Sequence, residues 1–343
     1  MVDLKVPSHC LWFLADWSGF AGSAGLLLFP VIPWPLCYFP CPTFTSQASP
    51  KQVAFTCWRV MGSVMQRSGH GGAGGESSTS ICASWKPRGL IAQGRAPSSV
   101  RGTTWMQQIL TLIYSSGDPE PVTTVPNWAR VPWLEHTYFE EVLQEKEGSR
   151  LLTTHLPQPV LDTALRTAKP KVIYVARNPK DVAVSYYHFC RMAKFLPDPG
   201  SFDEFLRSFL DGTVHYGSWF EHVKGWLGCK EELGIFYITY EELHQELEAS
   251  VEHLSTFLDR PFQEDLVGSI RKHCSFASMS ENAMVNGSLV SQEILDRTKS
   301  QFMRKGIVGD WRNHFSALQN MLFDEKYQQE MESLHLHFQG LME

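Results

Sequence analysis

One short stretch constrains the fold of this chain more than any other, because it reads as a buried strand that passes directly into a helix. Lys171 is followed by the apolar run Val172–Val175, whose β-branched residues predict a fully buried parallel strand. The chain then turns through Arg177 and Asn178. Pro179 suits the first turn of the helix that follows, because its missing N–H would be unpaired there. The stretch therefore predicts a strand–turn–helix unit.

The turn of this unit predicts a site for an anion. Free backbone N–H groups and the positive end of a helix dipole meet where a strand turns straight into a helix. Arg177, Lys180 and the hydroxyl of Ser185 add charge and hydrogen-bonding capacity there. A surface turn that happens to be basic is the alternative, because any turn of this kind looks partly like a phosphate site.

Charge and cysteine usage limit the function classes. The 343 residues carry a formal net charge of −6, which argues against bulk binding of nucleic acid, so a phosphate ligand would need a local site. The eight cysteines form no CxxC or zinc-ribbon pair, which favours unpaired thiols in a reducing, cytoplasmic compartment. No His and Glu cluster has metal-ligand spacing, so we expect no metal.

The first 97 residues differ in composition from the rest and stay unassigned. They hold seven Lys and Arg against three Asp and Glu, and five of the eight cysteines. Pro30, Pro33 and Pro35 would break a membrane-spanning helix in the apolar stretch 17–39, which also lacks the basic start of a signal peptide. The Gly- and Ser-rich stretch 69–80 predicts a flexible linker. We expect residues 1–97 to be an irregular or disordered extension, with no membrane partner; a membrane or secretory segment is the less favoured alternative.

From Gly102 onward, helical and strand patterns alternate. The predicted segments are helix 103–114, strand 151–154, helix 201–212, strand 235–239 and a helix from 241. Strands that alternate with helices imply crossover connections and a parallel sheet, so the fold class is α/β, with a central parallel sheet flanked by helices. Ligands of such sheets bind at the carboxyl ends of the strands, where His155, Arg177 and Tyr240 lie.

Five segments, in order and at matching spacing, carry a family resemblance: Thr154–Pro157, Arg177–Ser185, Tyr216–Trp219, Tyr240–Leu243 and Phe302–Trp311. With them the chain resembles the cytosolic sulfotransferases, and the stretch 125–133 is most similar to the steroid and alcohol branch. The resemblance implies a single domain of the P-loop-like sulfotransferase fold over residues 98–340. It also implies transfer of a sulfuryl group from 3′-phosphoadenosine 5′-phosphosulfate (PAPS), without a metal, to a small lipophilic alcohol, phenol, sterol or amine in the cytoplasm.

The resemblance also assigns roles to residues. His155 would be the general base, a role that suits an imidazole because its unperturbed pKa is near neutrality. Arg177 and Ser185 would bind the 3′-phosphate, while a C-terminal loop with Arg304 closes over it. Tyr240 and Trp105 would hold the adenine. The full set of cofactor-binding residues that the resemblance implies is Arg101, Gly102, Thr103, Thr104, Trp105, Arg177, Ser185, Tyr240, Cys274, Ser275, Phe276, Met279, Phe302, Met303, Arg304, Lys305 and Gly306.

The chain departs from the family at the 5′-phosphosulfate loop. The family sequence Tyr-Pro-Lys-Ser-Gly-Thr-Thr-Trp corresponds to residues 98–105, and Val100 stands where the family has lysine, with Arg101 one position later. Residues upstream of Ser98 do not match the family's N-terminal region, which supplies its first strand and part of the acceptor pocket. Gly89–Ala92 is the only upstream candidate strand, and we expect it to lie too far from the loop. Residues 1–97 are therefore either a divergent extension or a mis-assembled or alternatively spliced start.

Two functional classes remain open. The chain is either an active PAPS-dependent sulfotransferase or a nucleotide-binding relative that is catalytically weak or inactive, since Val100 replaces the loop lysine. A P-loop nucleotide kinase is a distant third, because the GxxxxGK[ST] pattern is absent. A homodimer is also left open. Its usual motif of Lys, Thr, Val and Glu is eroded to Arg312, Ser316, Ala317 and Met321.

Overall fold

The structure is a computed structural model that describes residues 89–93, 100–136, 151–334, 336 and 338–341. The predictions for the apolar stretch 17–39 and the linker 69–80 lie outside the described residues. In the part of the chain that is described, no helix is both long and apolar enough to cross a membrane. The same residues contain no group of three or more His, Cys, Asp or Glu side chains arranged to hold a metal ion.

The described chain is built on a parallel sheet. Its strands are β1 (Gly89–Gln93), β2 (Leu151–Thr154), β3 (Val172–Ala176) and β4 (Phe236–Thr239), in the spatial order β2-β1-β3-β4. All three neighbouring pairs are parallel, and Ile91 lies opposite Thr153 of β2 and Ile173 of β3. The predicted α/β class, the parallel sheet and the strands β2, β3 and β4 are confirmed.

Strand β1 corrects one expectation. Gly89–Ala92, which we expected to lie too far from the 98–105 loop, is part of strand β1, which lies between β2 and β3 and pairs with both. Helix α1 begins at Val100, a few residues after β1 ends at Gln93. The sheet thus includes residues upstream of Ser98, where the predicted domain begins. The run is short and contains a glycine, so its own sequence carries a weak strand signal, and its pairing with two strands far along the chain decides its conformation.

Helices fill the connections between the strands. In chain order the described α-helices are α1 (Val100–Tyr114), α2 (Glu120–Thr124), α3 (Asn127–Arg130), α4 (Gln158–Ala168), α5 (Pro179–Met192), α6 (Phe202–Leu210), α7 (Trp219–Gly228), α8 (Lys230–Leu233), α9 (Tyr240–Gln245), α10 (Leu247–Phe257), α11 (Glu264–His273), α12 (Phe276–Glu281) and α13 (Ala317–Met331). The predicted capping box is present, because Ser201 and Glu204 bond each other's backbone at the start of α6. The helix predicted from residue 241 is confirmed but divides at Glu246 into α9 and α10.

Strand β3 separates two apolar cores. Tyr174 packs into the core on one side of the sheet, with Trp219 and Trp226 of α7. Ile173 and Val175 pack into the core on the other side, with helices α1 and α10. Successive side chains of a strand point to opposite faces, so a continuous apolar run is buried on both. This arrangement leaves the carboxyl ends of the strands as the edge where polar side chains collect.

Candidate functional site

Arg177 lies directly after β3 and is buried, with only 3 % of its side chain exposed. Its Nη2 donates to the Ile307 carbonyl at 3.2 Å, and its guanidinium lies 4.5 Å from the centre of the Tyr240 ring. Asp181 Oδ2 is 3.7 Å from Nη2. Within the described residues Nε and Nη1 are buried without a hydrogen-bond partner. A buried guanidinium with two unpaired donor atoms is costly, so this geometry fits an anion such as a phosphate group.

The residues after Arg177 position the turn. The Asn178 side chain accepts from the backbone N–H of Lys180 and so caps α5, and its Nδ2 donates to the Gln339 carbonyl at 3.2 Å. Lys180 is fully buried, and its Nζ contacts Asp324 Oδ1 at 2.5 Å and Asn320 Oδ1 at 2.6 Å. The expectation that Lys180 contributes to the anion site is therefore wrong, because the lysine instead anchors helix α13 and the C-terminal residues.

Asp181 ties the C-terminal loop to the same turn. Its Oδ2 accepts from the Gly309 N–H at 2.7 Å and its Oδ1 from the Trp311 N–H at 2.9 Å. Two buried, charge-assisted hydrogen bonds are stronger than neutral ones, so they hold the loop firmly against α5. This contact brings residues 302–310 beside Arg177, although they are more than a hundred positions away in the chain.

The two cations of this loop share one carboxylate. Arg304 Nη2 lies 2.5 Å from Asp310 Oδ2, and Lys305 Nζ lies 2.6 Å from Asp310 Oδ1. Burial by itself would raise the pKa of Asp310, but hydrogen bonds from Lys305, Asn313 and Arg304 outweigh it and hold that pKa well below its usual value. The loop therefore carries two cations against one acid beside the Arg177 turn, and its local charge favours an anion.

Gly306 occupies a position that only glycine fits. Its φ is +69°, in the left-handed region, and a Cβ added there would lie 2.3 Å from a ring carbon of Phe276. Phe276 itself is 38 % exposed. The loop backbone and this ring thus approach each other closely.

Trp105 and Tyr240 form the aromatic side of the predicted nucleotide site. Their rings meet edge to face with centroids 5.5 Å apart, and Trp105 Nε1 is buried with no hydrogen-bond partner in the described part of the chain. Cys274 and Met279 pack in the core beside α1, while Ser275 caps α12. Phe276 is therefore the ring of this segment that faces the loop.

Glu241 contacts the turn that contains Arg177, because its Oε1 accepts from the Asn178 N–H at 3.0 Å. Burial raises the pKa of Glu241 to about 7, although this hydrogen bond opposes the rise. A carboxyl group with such a pKa is partly protonated near neutral pH and then carries no charge. Glu241 therefore compensates the positive charge of Arg177 only in part.

His155 lies directly after β2, at the same edge of the sheet. Its Nδ1 is 2.8 Å from Glu135 Oε1, and its backbone N–H donates to the same oxygen at 2.8 Å. Because an ionised carboxylate only accepts, Nδ1 carries the proton and Nε2 is left to accept one. Burial would raise the pKa of Glu135, but the hydrogen bonds from His155 outweigh it, and the pKa lies below its usual value.

Glu135 is a functional residue that the sequence reasoning missed. Residues 132–134 pair with Thr153 of β2, since Thr153 N–H donates to the Pro132 carbonyl and Leu134 N–H to the Thr153 carbonyl, both at 2.9 Å. This pairing places Glu135 beside His155. No spacing rule links the two residues, and the only signal was that Glu135 closely follows the stretch 125–133, which shares the family pattern.

An apolar cavity of about 860 Å³, including space open to solvent, adjoins His155 and the first turn of α1. Thr103 and Thr104 line it on the side of α1. Its aromatic lining consists of Trp128, Trp133, Phe189, Phe195, Tyr216 and Phe302. Burial lowers the pKa of a further lining residue, His136, to about 4, so this histidine is neutral. No Asp, Glu, Lys or Arg side chain lies among the described residues that line the cavity.

Tyr216 is held in an uncommon conformation at this cavity. Its φ is +69°, which is rare for a bulky residue, and its ring centroid lies 5.7 Å from that of His155. Strained backbone of this kind persists only where the surroundings fix it, and it concentrates at functional sites.

The structure thus brings the predicted residues together in two groups. Tyr240, Trp105 and Gly306 belong to the group around the Arg177 guanidinium, while His155, Thr103, Thr104 and Phe302 meet at the cavity. Ser185 is half-buried in α5, Met303 is buried in the core beside α1, and Arg101 lies in the first turn of α1.

Comparison with known sequences identifies the family of this chain. Residues 101–335 match the family model described as the sulfotransferase domain. Human sulfotransferase 2B1 is 44 % identical over 233 residues, which cover 68 % of this chain and 64 % of the human protein, less than two thirds of its length. Rat sulfotransferase 1A1 is 45 % identical over 235 residues, which cover 67 % of this chain and 81 % of the rat protein.

Solved structures give the same result for the fold. Mouse sulfotransferase SULT7A1 complexed with PAP is 29 % identical, with a TM-score of 0.58, over 74 % of this chain and 88 % of the mouse chain. Retinol dehydratase in complex with androsterone and the inactive cofactor PAP is 22 % identical, with a TM-score of 0.64, over 74 % of this chain and 84 % of that one. The second likeness concerns the fold alone.

Proposed function

The chain belongs to the sulfotransferase family, and from that premise we propose that it transfers a sulfuryl group from PAPS to a small lipophilic acceptor. The observation that carries the proposal is the buried guanidinium of Arg177, whose Nε and Nη1 lack partners among the described residues. A phosphate group supplies the charge and the acceptor oxygens that these donors need.

The nucleotide would be held by the group of residues around Arg177. The 3′-phosphate would receive hydrogen bonds from Arg177 and Ser185, and Arg304 and Lys305 would add positive charge from the loop that Asp181 holds in place. The adenine would lie against Trp105, Tyr240 and Phe276. The PAP complex of the mouse relative supports this assignment of the nucleotide.

The reaction would take place at His155. When bound, PAPS supplies an activated sulfuryl group and leaves as adenosine 3′,5′-bisphosphate (PAP). His155 Nε2 would take the proton from the acceptor hydroxyl as that oxygen attacks. Glu135 would keep the imidazole in the required tautomer and stabilise the positive charge that it gains, because its carboxylate is 2.8 Å from Nδ1.

The cavity favours a neutral acceptor with a hydroxyl group over an ammonium ion. Aromatic side chains line it, and no carboxylate is present among its described lining residues to pair with a cation. An alcohol, a phenol or a sterol therefore fits this lining better than a charged amine does. The similar sequences include both a sulfotransferase 2B1 and a sulfotransferase 1A1. We therefore propose all three acceptor classes and choose none among them.

The compartment and the oligomeric state remain proposals. Within the described part of the chain Cys190, Cys229 and Cys274 form no disulfide, which supports the reducing cytoplasm as the compartment. At the eroded dimer motif, Met321 is 58 % exposed and Ser316 caps α13. These positions give no support to dimerisation by that motif.

A second candidate function is nucleotide binding with weak or no catalysis. Val100 favours it, because a valine at the start of α1 offers no donor to the oxygen that bridges sulfur and the 5′-phosphate. Interactions made only in the transition state act on turnover rather than on binding. Loss of this donor would therefore reduce catalysis and leave the nucleotide bound.

The double change Val100→Lys with Arg101→Ser is expected to raise turnover. One preorganised donor of this kind contributes about 3–4 kcal/mol, or about a hundred- to a thousandfold in rate. Strand β1 and helix α1 provide the strand–loop–helix setting that such a lysine needs. The measurement is transfer of labelled sulfate from PAPS to a panel of phenols, sterols and amines, with Arg101→Ser alone as the control.

Each result of this assay separates the candidates. Transfer to a neutral hydroxyl by the wild type supports the proposed function. Binding of PAP with transfer only by the double variant, or with no transfer by either protein, would favour the second candidate. If the wild type already turns over as fast as the double variant, then Val100 is not a defect.

Gly306→Ala is expected to weaken PAP binding about tenfold or more. The added Cβ would strain the left-handed backbone and push the loop away from Phe276, at a cost of about 1–3 kcal/mol. Gly234→Ala is the matched control, because Gly234 also has a positive φ but no atom within 4 Å of an added Cβ. Titration calorimetry measures both, and equal losses of affinity in the two variants would refute the role of Gly306.

A further inference from the structure

A buried hydrogen-bond network contacts the turn that carries His155. The Leu156 carbonyl accepts from Trp226 Nε1 at 3.1 Å and lies 3.2 Å from His222 Nε2. His222 Nδ1 is 3.0 Å from the Tyr174 hydroxyl. The side chains of Tyr174, His222 and Trp226 are each at most 1 % exposed. The network therefore links strand β3 and helix α7 to the residue next to His155.

The roles in this network follow from the chemistry of its atoms. A carbonyl oxygen only accepts, so the His222 nitrogen that faces Leu156 must carry a proton. In the neutral ring Nδ1 then accepts from the Tyr174 hydroxyl. A carbonyl that receives two buried donors is fixed in direction, because rotation of its peptide would leave both donors unpaired at about 1–3 kcal/mol each.

The peptide groups on either side of His155 are fixed as well. The His155 N–H donates to Glu135, and the Leu156 N–H donates to Thr154 Oγ1 at 3.1 Å. Pro157 follows as the N-cap residue of helix α4. The backbone on both sides of the imidazole is thus held, on one side by Glu135 and on the other by the network at Leu156.

We propose that Trp226, His222 and Tyr174 are positioning residues for the reaction, which act by fixing the Leu156 carbonyl and so the direction of the His155 imidazole. The proposal rests on the proposed function of His155. A small misplacement of a reacting group lowers the rate strongly. Trp226 and His222 lie on α7, which carries none of the proposed nucleotide-binding residues. The network should therefore affect turnover more than nucleotide binding.

Helix α7 contains a matched pair of tryptophans that tests this proposal. Trp219 is also buried, at 1 % exposure, and packs in the same core as Trp226, but its Nε1 has no hydrogen-bond partner among the described residues. Trp226→Phe and Trp219→Phe remove the same atoms from the same helix. We expect Trp226→Phe to lower kcat about tenfold or more at unchanged PAP affinity, and Trp219→Phe to change kcat less than threefold.

The same comparison in a His155→Ala background distinguishes positioning from a general loss of stability. If Trp226 acts through His155, then Trp226→Phe has little further effect in that background. Equal effects of the two tryptophan variants on kcat, or an undiminished effect of Trp226→Phe without His155, would overturn the proposal. If Trp226→Phe does not fold, His222→Gln, which keeps a donor for Leu156, must retain more turnover than His222→Leu, and equal turnover would overturn the proposal.

Nuclear magnetic resonance of nitrogen-15-labelled histidine keeps the test independent of turnover. The His155 signals, identified by their loss in His155→Ala, should shift in Trp226→Phe and stay unchanged in Trp219→Phe. If no protein in the series transfers sulfate, the proposed function fails, while this shift still decides whether the network positions His155. An unshifted His155 signal in Trp226→Phe would overturn the positioning role.

Discussion

Replacing His155 by alanine is expected to lower turnover by about a hundredfold or more and to leave PAP affinity nearly unchanged. His155 is the histidine at the cavity whose Nδ1 is engaged by a buried carboxylate, Glu135 Oε1 at 2.8 Å, so its Nε2 is prepared to accept a proton. The variant removes the proton acceptor and also deprives the buried Glu135 of its side-chain partner, while the backbone N–H of residue 155 still donates to it. The proposed nucleotide-binding residues lie on α1, α5, α9 and α12, in the turn after β3 and in the 302–310 loop, and the change does not touch them.

The matched control for this variant is His136→Ala. His136 lines the same cavity, but burial lowers its pKa to about 4, so it is a poor base near neutral pH. This change should raise the KM for the acceptor more than it lowers kcat, because it alters the cavity wall. Steady-state kinetics with labelled PAPS separate the two effects. Equal losses of kcat in the two variants would rule out His155 as the base.

The local sequence was sufficient to predict those parts of the site that lie within one strand and the turn that follows it. Arg177 follows a buried β-branched run, and the helix that Pro179 begins was predicted from the same few residues. The predicted sheet edge did bring His155, Arg177 and Tyr240 to the same end of the parallel strands. These features depend on propensities and on the periodicity of short segments, which a single sequence carries.

Contacts between distant segments could not be predicted. Glu135 reaches His155 only because residues 132–134 pair with β2, and the sequence between the two carries no sign of that pairing. Lys180 looked like a phosphate ligand, but C-terminal residues fold back and enclose it. Strand β1 has little strand character of its own and is stabilised by two neighbours in the sheet. In each case the deciding energy comes from tertiary packing.

Replacing Arg177 by methionine is expected to cause a large loss of nucleotide affinity. Nε and Nη1 are buried donors without partners in the described structure, so they gain full hydrogen bonds when a phosphate binds. A hydrogen bond to a charged group contributes about 1.5–3 kcal/mol, so the variant should bind PAP about tenfold to a hundredfold more weakly or worse. Methionine fills part of the space of the arginine stem, which limits the loss of packing.

Arg130 offers a matched control for this change. It is likewise a buried arginine, but its guanidinium is fully engaged by the Val125 carbonyl, Thr111 Oγ1 and Gln108 Oε1. Arg130→Met should therefore lower the free energy of unfolding, since it leaves buried acceptors unpaired, without a comparable loss of nucleotide affinity.

The most direct test of the proposed nucleotide site is titration calorimetry of PAP into the wild type, Arg177→Met and Arg130→Met. The account predicts that the wild type and Arg130→Met bind PAP with dissociation constants within about threefold of each other, and that Arg177→Met binds at least about tenfold more weakly. Equal affinities of the wild type and Arg177→Met, or no binding of PAP by the wild type, would contradict it.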